Sequence, residues 1–300
     1  MRNPLYLLRT VLILLLVLTS NFTQAQTSLR KKLADMAESI SGDVGIAIQL
    51  IERGDTLSYH GAHPFPMQSV YKFPLALQVY HDVDNGKLHL EDRVQVLPTE
   101  YYNTHSPLMK DYPDGHANPS IQELLAYTIE WSDNIACDVL FKEVGGPKRV
   151  DLFIHSKGIK DIAIRNTERE MHANDQLQYQ NWSTPSAMAT LLTKFYSTEL
   201  LSSYSKAQLW KQMTNTKTGP KRLRGLLPAG TVVGNRTGTG NISKEHRVSA
   251  VNDVGIVELP NGEHMAIVVY ITNTRAEISE AEELIAGIAK AAYEHFGQRK

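Results

Sequence analysis

A serine three residues ahead of a lysine brings a hydroxyl beside an ammonium when both lie on a helix, and such a pair can make the serine a nucleophile. The pattern occurs three times: Ser28 with Lys31, Ser69 with Lys72, and Ser203 with Lys206. Context separates them. Ser28 adjoins a candidate cleavage site and Ser203 starts a polar-faced surface helix, whereas Ser69 follows the apolar loop HPFPMQ and opens the apolar segment SVYKFPLALQV. A buried helix N-terminus at Ser69 would also offer unpaired N–H groups to a developing oxyanion. An N-capping serine followed by a snorkelling lysine has the same pattern, so this pair alone does not decide.

Other chemistry-bearing groups lie downstream. Ser132-Asp133-Asn134 falls between two helical segments in TIEWSDNIACDVL, where a helix cap is its plain structural use. Two basic-Thr-Gly triplets follow. Lys217-Thr218-Gly219 comes after an amphipathic segment ending near Met213 and precedes Pro220, which predicts a helix exit and loop. Arg236-Thr237-Gly238 lies on a strand-like run, where alternate side chains can face a cleft and a glycine admits a ligand to the backbone. This second triplet is the candidate anion-binding group. His60 and His63 have a metal-like spacing without a third clustered ligand and are read as structural, and no metal or cofactor is expected.

These residues need elements to position them. GDVGIAIQLIE and DTLSYHG, separated by Arg53-Gly54, predict a hairpin. The middle of the chain carries apolar residues at helical spacing in SVYKFPLALQVYHDV, SIQELLAYTIEW, SDNIACDVLFKEVG, PSAMATLLTKFY and SKAQLWKQM. After Gly230 the period becomes two in TVVGNRTGTG, HRVSAVNDVGIVELP and EHMAIVVYITN, with Asn261-Gly262 as a turn. The last segment predicts a helix opened by a capping box from Ser279 to Glu282. Strands at both ends with helices between them give an α+β fold. An antiparallel sheet flanked by terminal helices is expected from residues 26–67 and 213–300, beside an all-helical lobe over 68–212. The cleft between the two is the expected site.

The 300 residues are 42% hydrophobic, enough for one large domain or two interlocked ones. A formal net charge of -1 leaves no basic field to hold nucleic acid. At the start, Arg2 and Arg9 precede the apolar run Val11 to Leu18, and Thr23-Gln24-Ala25 offers a small-x-small cleavage site, so residues 1–25 read as an export signal. The run is well short of the roughly 20 residues a membrane span needs. The single cysteine, Cys137, excludes an intrachain disulfide. The mature chain is expected to be a periplasmic monomer with no membrane partner.

In this order and spacing, Ser69-x-x-Lys72, Ser132-Asp133-Asn134 and Arg236-Thr237-Gly238 resemble the motifs of the class A serine β-lactamases. GGP at Gly145 to Pro147 and RGLLPAG at Arg224 to Gly230 extend the resemblance over essentially the whole mature chain. Between Ile164 and Trp182, the long polar stretch NTEREMHANDQLQYQN has neither period. It is similar to the family's omega loop (here about residues 163–182), whose Glu-x-Glu-Leu-Asn string matches Glu168-Arg169-Glu170-Met171-His172. The resemblance implies that Ser69 attacks a β-lactam amide, that the N–H groups of Ser69 and Thr239 stabilise the oxyanion, and that Ser132 passes a proton to the departing ring nitrogen. It implies Glu168 as the base that activates water against the acyl-enzyme, with Glu170 a solvated or structural neighbour. A substrate carboxylate is expected near Arg236, Thr237 and Thr239, with Arg224 as a second cation and Asn134 on the substrate's side-chain amide. Whether Lys72 or Glu168 first takes the serine proton stays open.

Several positions depart from the family pattern. Arg236 replaces the strand lysine, His172 the loop's asparagine, and Asp138 the asparagine that follows Ser-Asp-Asn; His105 stands where the family often has an aromatic gate. The arginine and aspartate that pin the omega loop as an ion pair match Asn166 and Asn181, and their joint loss implies a rebuilt loop. These changes look like the PER-like and VEB-like extended-spectrum branch, which implies a pocket enlarged for bulky cephalosporins. Two rivals share part of the pattern. A penicillin-binding peptidase has the first three motifs but no need of Glu168, and a β-lactam sensor would hold its adduct.

Overall fold

The computed structural model describes residues 27–197 and 200–298; the expected export signal lies outside them. Eight strands follow in chain order: β1 (Asp43–Leu50), β2 (Thr56–Tyr59), β3 (Phe65–Pro66), β4 (Ile162–Ala163), β5 (Trp182–Ser183), β6 (Val233–Thr239), β7 (Val251–Glu258) and β8 (His264–Thr272). Five of them form an antiparallel sheet in the order β2-β1-β8-β7-β6, and β3-β5-β4 form a small second sheet. Alternation along β8 explains the layering. Met265, Ile267, Val269 and Ile271 pack with Leu29 and Leu33 of α1 (27–37) and with Leu284, Ile285 and Ile288 of α10 (Ile278–Gly297). Ala266, Val268 and Tyr270 point the other way, into the core shared with the helical part. A strand covered on both faces needs apolar residues at every position, which is why MAIVVYI runs without a polar break.

The remaining helices are α2 (Lys72–Asp84), α3 (Pro107–Asp111), α4 (Ile121–Glu130), α5 (Asn134–Glu143), α6 (Pro147–Ser156), α7 (Glu168–Ala173), α8 (Pro185–Ser197) and α9 (Ser203–Thr214). The expected all-helical span 68–212 therefore also contains β4 and β5. Tyr270 of the large sheet and Ser183 of β5 meet hydroxyl to hydroxyl at 2.7 Å, in the buried layer between them. The expected cap of α10 is also displaced. Glu277 is its N-cap and its N–H donates to Glu280 Oε2 at 3.2 Å, so the box closes two residues earlier than Ser279 and Glu282. The reason is a turn already made upstream, where the Ala276 N–H donates to Thr274 Oγ1 at 3.0 Å. Glu282 is thereby free to reach Arg222 at 3.2 Å.

Candidate active site

Ser69 sits in a 3-10 turn, Gln68–Tyr71, that leads directly into α2. It is half-buried rather than sealed, an exposure that a candidate nucleophile needs. The residue before it, Gln68, is held at φ 50°, a left-handed backbone that a non-glycine residue adopts only under constraint. β6 supplies that constraint from the other side. A Cβ on Gly238 would lie 2.4 Å from Met67 O, so the missing side chain lets the strand press against the Ser69 turn. The glycine thus serves protein packing, where the sequence suggested ligand access.

Lys72, one helical turn on, is completely buried. Its ammonium donates to Ser132 O at 2.9 Å, to Ser132 Oγ at 3.4 Å and to Asn134 Oδ1, and stands 3.0 Å from Glu168 Oε1. Three N–H bonds serve the first three acceptors, so Glu168 Oε1 is held by charge and makes no hydrogen bond of its own. A buried ammonium is tolerated only with such partners. The lysine therefore joins Ser132, Asn134 and Glu168, which lie about 60 to 100 residues away in sequence.

Ser132 joins α4 to α5 at φ 61°, again left-handed. The strain is over-determined by Asp133, the buried N-cap of α5, which accepts from Ala136 N at 2.8 Å, Leu108 N at 2.7 Å and Ser106 Oγ at 2.8 Å. The middle residue of the triplet is thus a structural cap, while the outer two face Lys72. Asn134 Nδ2 also donates to Thr104 Oγ1 at 2.8 Å, which fixes its amide orientation.

The omega loop is rebuilt around amides. Asn181, buried, accepts from the N–H groups of Arg165 at 2.7 Å and Asn166 at 3.0 Å, and donates to Asn166 O at 2.8 Å. Asn166 in turn donates to Leu177 O at 3.1 Å. A neutral side chain imitating a backbone partner thus stands where an ion pair was absent. Within the loop, Thr167 caps α7 and the Glu170 carboxylate closes the capping box on Thr167 N at 2.8 Å. Glu170 is therefore a cap, and Glu168, pointing at Lys72, is the inward carboxylate. Asp138 of α5 accepts from Glu168 N at 2.8 Å, Arg169 N at 3.0 Å and Tyr102 Oη at 3.0 Å. Burial, and then the nearby Glu168 charge, raise its carboxyl pKa from 3.8 to about 7.

Arg236 is fully buried behind Ser132, with Nη2 on Ser132 Oγ and Nη1 3.4 Å from Thr218 Oγ1. Burial lowers its pKa to about 10, which leaves it charged near neutrality. Its fork is occupied by hydroxyls, so Arg236 stands as a charge behind Ser132 and Thr218. The two basic-Thr-Gly triplets lie together: Thr218 and Thr237 meet hydroxyl to hydroxyl at 2.6 Å. Arg224 does not join them. Its Nη2 donates to the carbonyls of Met213, Thr214 and Val233 at 3.2, 2.9 and 2.6 Å, tying the end of α9 to β6. The cation at the cleft is instead Arg222, unmarked in the sequence reading, which donates to Gly238 O at 3.0 Å, Asn252 O at 2.9 Å and Thr239 Oγ1 at 2.7 Å. Its Glu282 partner comes from the far end of the chain, so no local pattern could have marked it.

Two connected concavities meet at Ser69. One, of about 260 Å³, is lined by His105, Ser132, Thr218, Gly219, Arg222 and Thr237. The other, of about 150 Å³, runs under the omega loop along Glu168, Met171, His172, Asp175, Gln178 and Asn241. Ser69, Asn134 and Thr239 border both. β6 is the sheet's edge strand, and Gly240 N pairs with Ala250 O; by alternation the N–H of Thr239 turns toward the cleft. His105 Nε2 donates to Trp131 O at 2.9 Å, and His172 packs its ring 5.2 Å from that of Tyr102. Among the described residues no three His, Cys, Asp or Glu side chains cluster as metal ligands; His60 Nδ1 lies 3.0 Å from Val44 O and His63 packs on Phe65.

Comparison with known proteins agrees with this geometry. A family model described as the Beta-lactamase enzyme family matches residues 28–296. The chain is 42% identical to the extended-spectrum β-lactamase PER-1 of Pseudomonas aeruginosa, over 94% of this chain and 92% of that one. It is 38% identical to β-lactamase VEB-1 of the same organism, over 96% and 97%. Among solved structures, that of the TLA-1 extended-spectrum β-lactamase superimposes with a TM-score of 0.89 at 41% identity, covering 91% of this chain and 100% of that one. A 3-10 turn carrying Ser69, a lysine shared by a serine, an amide and a carboxylate, and an edge strand facing them thus occur in a chain that belongs to the β-lactamase enzyme family, as a serine hydrolase of class A.

Proposed function

We propose that the cleft hydrolyses penicillins and cephalosporins through an acyl-enzyme on Ser69, with the bulky extended-spectrum cephalosporins as preferred substrates. The substrate carboxylate lies against Thr237 and Thr239, backed by the charges of Arg236 and Arg222. Ser69 Oγ attacks the lactam carbonyl and its proton leaves to the Lys72–Glu168 pair; the N–H groups of Ser69 and Thr239 receive the oxyanion. The C–N bond breaks as Ser132 Oγ protonates the ring nitrogen, and Ser132 is reprotonated from Lys72. Asn134 holds the side-chain amide. Glu168 then takes a proton from water, the hydroxide adds to the ester, and Ser69 leaves with a proton restored.

The observation that carries this reading is the single buried ammonium within reach of Ser132, Asn134 and Glu168. The concavity under the omega loop, ending at Asp175 and Asn241, is the space a large side chain would fill. The apolar run Val11 to Leu18 and the small-x-small site Thr23-Gln24-Ala25 support an export signal, and with it a periplasmic enzyme.

The test is intact-mass spectrometry of residues 26–300 mixed with an oxyimino-cephalosporin while hydrolysis is followed. Rapid turnover without lasting adduct, and a trapped acyl-enzyme in Glu168→Gln, are expected. A lasting wild-type adduct without turnover would make the protein a penicillin-binding peptidase or sensor.

A further inference from the structure

Arg169 takes no part in the chemistry above, yet it touches three elements at once. It follows Glu168 in α7, and its backbone N–H shares the Asp138 carboxylate with that of Glu168. Its guanidinium runs the other way. Nη2 donates to Thr99 O at 3.1 Å and to Glu100 O at 2.6 Å, and the group lies 4.6 Å from the centre of the Tyr102 ring. The Tyr102 hydroxyl returns to Asp138 Oδ2 at 3.0 Å. The contacts therefore close a ring, from the Arg169 side chain through Tyr102 and Asp138 to the Arg169 N–H.

We propose that Arg169 is a positioning residue for the hydrolytic half-reaction, stapling the helix that carries Glu168 to the 98–104 segment that walls the cleft. The proposal rests on the assignment of Glu168 as the water-activating base.

Length makes the staple necessary. α7 has six residues, too few to hold an orientation by its own hydrogen bonds. Asp138 fixes its first two N–H groups, but two bonds to one carboxylate leave the helix able to swing about that point. The two carbonyls at 99 and 100 supply a second anchor on the outer side, through charge-assisted bonds made by a group that also lies on an aromatic face. A lysine keeps the charge but cannot lie flat on the ring and serve both carbonyls.

In acylation Glu168 shares the serine proton with Lys72, which Ser132 and Asn134 hold and Arg169 does not touch, whereas in deacylation Glu168 alone activates the water. The consequence is a split between the two half-reactions. In Arg169→Ala, rapid-quench mass spectrometry with a cephalosporin is expected to show deacylation slowed by about ten- to a hundred-fold, the scale of a small misplacement of a catalytic group. The acylation rate constant should fall far less, because Lys72 keeps its place, so acyl-enzyme accumulates during turnover. Arg169→Lys should fall between wild type and Arg169→Ala. Thermal melting is recorded for each, and if Arg169→Ala does not fold, Arg169→Lys carries the test because it keeps a cation over the Tyr102 ring. Parallel loss of both rate constants, wild-type deacylation in either variant, or no gain from lysine over alanine would overturn the proposal. Glu168→Gln is run beside them: turnover without adduct there would remove the base assignment itself, and with it the proposal, whatever the Arg169 variants do.

Discussion

Two carboxylates two residues apart face opposite ways, Glu168 toward Lys72 and Glu170 toward the capping box of its helix. Glu170 is exposed and closes a capping box, so Glu170→Gln should keep turnover and cost at most about 1 kcal/mol of stability, read by urea unfolding beside steady-state kinetics. Asp138 makes the sharper prediction. Its folded-state pKa, raised to about 7 from 3.8, means that the folded protein binds this proton more tightly than the unfolded chain does. The stability linked to it is present below about pH 4 and is lost as pH rises through about 7, the reverse of an ion-paired aspartate. Glu168 and Tyr102 are the titratable groups that face it. Melting curves from pH 4 to 8 should therefore show Asp138→Asn gaining on wild type as pH rises; parallel curves would sink the argument.

At the level of elements, the omega loop and the β6 edge decide what the residues can do. Asn181→Ala would strip the acceptor from two backbone N–H groups in a buried site and the donor from a third bond, at a cost of about 3 kcal/mol. Because that clamp is neutral, amide exchange in the loop of the unmodified protein should respond little to added salt, unlike a loop pinned by an exposed ion pair. The edge strand makes a different demand. Gly238→Ala must push Met67 away, since its Cβ would otherwise sit 2.4 Å from that carbonyl. Acylation should fall because the Ser69 turn moves, while circular dichroism stays that of the folded protein; unchanged acylation would show that the strand and turn are not coupled.

Across the whole molecule, the sheet is the shared wall of two cores. Val254, Ile256, Ala266, Val268 and Tyr270 belong to the same buried cluster as Phe73 and Leu77 of α2, while the opposite face of the same strands packs on α1 and α10. Neither part can unfold without exposing the other's apolar surface. Far-UV circular dichroism and tryptophan fluorescence should therefore report one coincident urea transition, and two separated transitions would show that the lobes are independent.

Short-range pattern was enough for the motifs and the layers. The capping triplet at Ser132 and the change of apolar period after Gly230 are local, and local geometry determines which side chains share a face; the i,i+3 spacing set Lys72 one turn from Ser69, but its ammonium turns to Ser132, Asn134 and Glu168 instead of the Ser69 hydroxyl. Glu168 was legible only through resemblance, because nothing in a polar loop tells an inward carboxylate from its neighbour. Tertiary structure alone decided the rest. Arg222 and Arg224 are two residues apart with the same chemistry, and which of them reaches the cleft depends on Glu282 and the carbonyls of β6 and β7, all brought near by the closing of the sheet. Arg236 is met by the hydroxyls of Ser132 and Thr218 for the same reason. A charged side chain takes whatever partners the fold places around it, and long-range contacts leave no spacing in the sequence to read.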